Sequence, residues 1–108
     1  MSRTILQINY QFTSVAELTK LLTPNDAEAI AAMHGLVWKV WLLNEAGREA
    51  GGIYLFESQE AAQAFISSDA IKDFAAHPTL SNFNAKMFAP DEALGKITRA
   101  PLDAEVPA

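Results

Sequence analysis

The residues of this 108-residue chain best suited to chemistry are aromatic rings, amides and two histidines. Trp38, Trp41, Tyr54, Phe56 and Phe65 offer flat faces between which a planar ring can be held. Asn9, Tyr54 and the indole N–H groups can steady an oxyanion. His34 or His77 can take a proton, because imidazole titrates near neutral pH. Each of these residues also has a plainer role. Trp38 and Trp41 lie three apart and point to opposite faces of any strand that holds them, so at least one packs in a core or an interface. Tyr54 and Phe56 suit the core equally well, and a cross-strand or inter-subunit hydrogen bond would satisfy Asn9. His34 reads as a cation at a helix C-terminus and His77, before Pro78, as a loop residue. Lys39 shares the face of Trp41, where snorkelling at a sheet edge or pairing with an acid competes with binding a substrate anion.

Composition closes off other chemistries. With no Cys, there are no disulfides, thiolate metal sites or cysteine nucleophiles. The two histidines are not at metal-ligand spacing, and no metal site is expected. Thirteen acidic against eight basic residues give a net charge of −5, which repels phosphate backbones and anionic headgroups. Neither nucleic acid nor membrane is an expected partner. The sequence has no HExxH, GxGxxG, P-loop, GxSxG or calcium-loop motif. Its most apolar stretch, residues 36–43, is interrupted by Lys39 and falls well short of the ~20 residues that span a bilayer. No export signal opens the chain, so the cytoplasm is the expected location.

The elements that must position these residues follow from periodicity. Residues 4–12 alternate, with Leu6, Ile8, Tyr10 and Phe12 opposite Gln7, Asn9 and Gln11, which predicts a strand. Ser14 with Glu17, then Asn25 with Glu28, form two capping boxes around a helix interrupted at Pro24, and Gly35 supplies the stop. Residues 36–45 form a strand with two bulky faces, Leu36/Trp38/Val40/Leu42 and Val37/Lys39/Trp41/Leu43. A polar connection leads to a strand over 49–56, in which Gly51-Gly52 predicts a bulge or a close approach by backbone or ligand. Ser58 caps the next helix, Asp69 starts a short one, residues 82–89 alternate again, and Asp91–Ile97 adds a last turn.

The order strand, helix, strand, strand, helix, strand is the βαββαβ pattern of a ferredoxin-like α+β domain over residues 1–100. Residues 101–108 lack periodicity and read as a loose tail. One sheet face is left without helices while both faces of the middle strands are apolar, so a homodimer packed sheet to sheet is expected.

The segments 35–41 (GLVWKVW) and 49–56 (EAGGIYLF) resemble the YdhR family of monooxygenases, with looser likeness at residues 6–8 and 86–88. The resemblance covers most of residues 4–98 and implies a dimeric α+β barrel related to the antibiotic-biosynthesis monooxygenases. It implies no cofactor: the substrate, a small aromatic or enolisable compound, must reduce oxygen itself. On that reading Asn9, His34 and Tyr54 are the candidate catalytic residues, and Trp38, Trp41, Phe56 and Phe65 the candidate substrate-binding ones. The pattern of the haem-degrading relatives is incomplete, since Phe56 stands where their Trp belongs and Phe74, Ala75 and Ala76 stand near the place of their His. A non-catalytic binder of small hydrophobic ligands, or an isomerase in the same barrel, are the alternatives.

Overall fold

The alternation of the first strand carries directly into space. In the computed structural model, which describes residues 2–106, β1 (Thr4–Phe12) buries Thr4, Leu6, Ile8, Tyr10 and Phe12 on one face. Ile5, Gln7, Asn9 and Gln11 point to the other. After it come α1 (Val15–Leu21), α2 (Pro24–Ala31), β2 (Leu36–Asn44) and β3 (Glu49–Phe56). Then follow α3 (Gln59–Ile66), α4 (Asp69–Ala75), β4 (Leu80–Phe88) and α5 (Glu92–Ile97). The strands form one antiparallel sheet in the order β2-β3-β1-β4. Leu18 of α1 and Ala62 and Phe65 of α3 pack on its Leu6–Phe12 face in a single core, which α2 and α4 complete through Ile30, Ile71 and Phe74. This is the ferredoxin-like α+β fold that the element order predicts.

Local chemistry explains the helix ends. Ser14 accepts from Glu17 N, but the Glu17 carboxylate sits 3.5 Å from Lys20 Nζ, so only half of the expected capping box forms. The second box forms two residues earlier than expected. Thr23 Oγ1 accepts from Asp26 N, and the Asp26 carboxylate accepts from Thr23 N. The reason is Pro24: without an N–H, and with φ already helical, it fits the first helical position and makes Thr23 the cap. α2 ends at Ala31 with Ala32 as its C-cap, so Gly35 is not the helix stop expected of it but turns the chain into β2: its φ is +82°, and a Cβ there would lie 2.6 Å from Ala61 Cβ.

A bulge corrects the predicted faces of β2. Leu36 pairs with Phe56 and Trp38 with Leu55, so Val37 is an extra residue and Leu36 moves off the face of Trp38. Leu36, Lys39 and Trp41 therefore share the helix-covered face, while Trp38, Val40 and Leu42 share the open one.

The described part of the tail, residues 101–106, has no helix or strand, yet distant side chains hold it. Arg3 Nη1 donates to the carbonyls of Leu102 (2.9 Å) and Ala104 (2.6 Å), and Trp38 Nε1 to that of Pro101 (2.9 Å). These bonds bridge the strands on either side of Leu55, which is fully buried on the otherwise open face. The missing periodicity that makes this segment read as loose carries no record of such contacts. Residues 107 and 108 lie outside the described residues.

Candidate active site

Between the helix-covered face of the sheet and α2, α3 and α4 lies a cavity of about 520 Å³. Its floor is Ile8 and Tyr10 of β1, Tyr54 of β3 and Lys39 of β2; Leu22, Ile30, Met33, Phe65, Ile71 and Phe74 wall it from the helix side. Asp26 and His34, both exposed, stand at the rim. The size suits a small organic molecule, and the walls are those of a largely apolar ligand site. Aromatic packing fixes the floor. Tyr54 stacks on Phe56 with centroids 5.9 Å apart and tilts against Phe65 at 5.0 Å. Tyr10 meets Phe74 edge-on at 5.2 Å and stacks on Phe83 at 6.2 Å.

Few polar groups enter this space. Among the described residues the hydroxyls of Tyr10 and Tyr54 make no side-chain hydrogen bond, and no buried polar side-chain atom is left unpartnered, so both hydroxyls open into the cavity. Burial pushes the Tyr10 phenol up to about 12. Burial, with a smaller contribution from Tyr10, pushes Tyr54 higher still. Both remain protonated donors across the neutral range.

Lys39 is the unusual member. Its Nζ lies 3.3 Å from the centroid of the Trp41 ring and 4.5 Å from that of Tyr54. Among the described residues no carboxylate lies within ion-pair distance of it, and desolvation lowers its pKa from 10.5 to about 7. At the rim, the Asp26 carboxylate is turned toward Thr23, whose hydrogen bonds hold it below the usual carboxylate range. No group of three His, Asp or Glu side chains able to hold a metal ion occurs among the described residues.

The structure brings together some of the residues singled out from sequence and separates others. Tyr54, Phe65 and His34 line the cavity. Asn9 lies across the sheet on the open face, where its Oδ1 accepts from Gln7 Nε2 at 3.0 Å, so it does not converge with Tyr54 and His34. Trp38 is also on the open face, with its indole N–H donated to Pro101. Phe56 is wholly buried behind Tyr54 and does not reach the cavity. Trp41 is on the cavity side and reaches it only through Lys39. His77 sits between α4 and β4 with Nδ1 held by Thr79, 2.8 Å from its hydroxyl. Tyr10 and Phe74 are cavity residues not singled out as candidates in the sequence; Lys39, weighed there as a binder of a substrate anion against snorkelling or an acidic partner, also lines the cavity. Gly51-Gly52 carried a usable signal: a Cβ on Gly51 would strike Ile8 O at 1.9 Å, and one on Gly52 would strike Lys39 Cε at 2.6 Å.

The model of one family, described as "Putative mono-oxygenase ydhR", matches residues 5–101. The chain belongs to the YdhR family. Family membership supports a monooxygenase-like function. Solved structures confirm the YdhR chain's ferredoxin-like fold. A protein of unknown function from Nitrosomonas europaea aligns with TM-score 0.67 and 21% identity, covering 100% of this chain and 97% of that one. SnoaB, a cofactor-independent oxygenase from Streptomyces nogalater, aligns with TM-score 0.63 and 13% identity over 83% of this chain and 94% of its own. The haem degrader MhuD from Mycobacterium tuberculosis, solved with two haems in its active site, gives TM-score 0.60 and 22% identity over 81% and 95%. No curated protein sequence matches the chain. Among the described residues, no helix of this YdhR-family chain is long and apolar enough to cross a membrane.

Proposed function

We propose that this chain is a cofactor-independent monooxygenase that oxidises a small aromatic or enolisable compound in the cavity between sheet and helices. The observation that carries the reading is the cavity itself: about 520 Å³, walled by aromatic and aliphatic side chains, with two phenol donors and one amine turned into it. Phe65 and Tyr54 offer faces to a flat ring, and the phenol hydroxyls of Tyr10 and Tyr54 are placed to donate to a substrate oxygen. A bound ligand that displaces water from the cavity strengthens those interactions. His34, at the exposed rim, is the group through which a proton can pass to solvent.

The electrons come from the substrate. An enolisable CH₂ loses a proton, and its carbanion gives one electron to O₂. The resulting radical and superoxide combine at carbon to a hydroperoxide, and loss of water leaves a carbonyl. The balance is CH₂ + O₂ → C=O + H₂O, and no external reductant enters.

The open face supports a second copy as partner. Val40 is 50% and Phe88 49% exposed there, beside Trp38, Leu42 and Ile53. Apolar groups of this size in one sheet face favour self-association over exposure to water. Sheet-to-sheet pairing gives the dimeric α+β barrel, and gel filtration with light scattering should show a dimer at micromolar concentration.

Oxygen uptake on adding anthrones or naphthols tests the activity. Uptake with stoichiometric carbonyl product supports it. Ligand binding by tryptophan fluorescence without uptake for any compound identifies a binder instead. Proton–deuterium exchange at an enolisable carbon without oxygen use identifies an isomerase.

A further inference from the structure

We propose that Lys39 is the proton acceptor of this cavity and then the counter-ion of the anion it creates, so that the site selects a flat apolar molecule bearing one acidic hydroxyl or enolisable carbon and no second charge. The proposal rests on the reading of the cavity as the substrate site. It begins with placement. Lys39 stands opposite Tyr54 in the register of β2 and β3, on the helix-covered face. The missing side chain of Gly52 leaves the space that the Lys39 stem occupies, since a Cβ there would lie 2.6 Å from Lys39 Cε. The amine is thereby laid inward from an edge strand over two aromatic faces, instead of extending into water as an edge lysine ordinarily does.

The surrounding charges leave Lys39 without a competitor. β1 contributes Tyr10 to the cavity, β3 contributes Tyr54, α2 contributes Asp26, and the segment after α2 contributes His34. The lining residues of α3 and α4 are Ala61, Ala64 and Phe65, then Ala70, Ile71 and Phe74, and none can ionise. Asp26 is engaged by Thr23, and no carboxylate reaches Lys39 within 4.0 Å among the described residues. An ammonium held over aromatic rings in an apolar wall, without a carboxylate partner, is costly, and a ligand anion reduces that cost. The same desolvation keeps part of the Lys39 population as free amine at neutral pH.

The step is a simple proton transfer. The Nζ lone pair takes the substrate proton, the O–H or C–H bond breaks, and its electron pair stays on the substrate as phenolate or enolate. The new ammonium remains beside the anion. A dianion would set its second charge against aliphatic wall, which excludes it.

The test uses 4-nitrophenol, which is coloured only as phenolate, titrated with the full chain and with Lys39→Met and Lys39→Arg. Binding to the wild-type protein should lower the dye's apparent pKa, raising its ionisation constant about tenfold. Lys39→Arg should keep that shift, because arginine supplies the charge, while losing oxygen uptake, because it cannot accept the proton. Lys39→Met should reverse the shift, since an apolar pocket favours the neutral phenol. If wild-type protein binds the dye and leaves its ionisation unchanged or suppressed, Lys39 is not the counter-ion, and the cavity reading stands without it. If the dye does not bind, the proposal falls together with the cavity reading. The wild-type titration decides these outcomes even where a variant fails to fold.

Discussion

On its helix-covered face the sheet presents Tyr10, Tyr54 and Lys39 to a cavity; on its open face it presents Gln7, Asn9 and Trp38. Both sets combine an aromatic ring with hydrogen-bonding groups, and both contain residues that read as catalytic in the sequence. They differ in how their polar atoms are satisfied. On the open face Gln7 bonds Asn9, Trp38 bonds Pro101, and Asn82 bonds Gln11. On the cavity side the phenols and the amine have no such partner among the described residues. Polar groups already paired hold a structure together, whereas unpaired ones lining an apolar cavity remain available to a ligand. On the function proposed above, this contrast leaves assembly to one face and chemistry to the other.

The largest effect is expected from Phe65→Ala, which empties the wall shared by Tyr54 and Phe56 and should cost about 3–5 kcal/mol in urea unfolding, with loss of ligand binding. Lys39→Met should lower oxygen uptake on the order of 100-fold, the usual worth of a positioned acid–base group, while the protein stays folded by circular dichroism. Val40→Glu places a charge in the open face and should weaken dimerisation roughly 10- to 100-fold by sedimentation, with a smaller effect on dye binding to the cavity.

Stability against pH gives a subtler signature. Lys39 has a folded pKa near 7 against 10.5 unfolded, so between these values the unfolded chain holds the extra proton and stability rises with pH. The tyrosines act oppositely. Their pKa values are raised above 10.0, so above pH 10 the unfolded chain loses protons that the folded one keeps, and stability falls. Denaturation midpoints of the wild type should therefore climb from pH 7 to about 10 and then decline, and Lys39→Met should abolish the climb. The smallest effect is expected from Asn9→Ala, under about threefold on oxygen uptake, since only the partner Gln7 is lost. A large loss there would show that the open face takes part in the chemistry and would collapse the contrast.

Much of the fold was legible because it rests on local periodicity and capping. The alternation of residues 4–12 fixes which side chains of β1 are buried, and Ser14 and Ser58 mark helix starts through groups close in sequence, whereas the end of α2 at Ala31, four residues before Gly35, was not marked. Pro24 shifted the second capping box by two residues, an effect also local but read at the wrong partner. The bulge at Val37 was not legible, because it is decided by how β2 pairs with β3. That single extra residue sets which neighbours share a face with Lys39.

Residue types and short spacings are enough for the βαββαβ order, the alternating faces of β1, the opposite orientations of Trp38 and Trp41, and a chain without thiol chemistry. Each depends on residue type or on spacings of two to four positions, over which backbone geometry is nearly fixed. Strand pairing and packing place Asn9 and Tyr54 on opposite sides of the sheet, hide Phe56 behind Tyr54 and turn Lys39 inward over Gly52. Those outcomes depend on which strand lies beside which and on the space a neighbour leaves. The same dependence makes Lys39 poised: its charge state follows from water removed by helices and strands far along the chain.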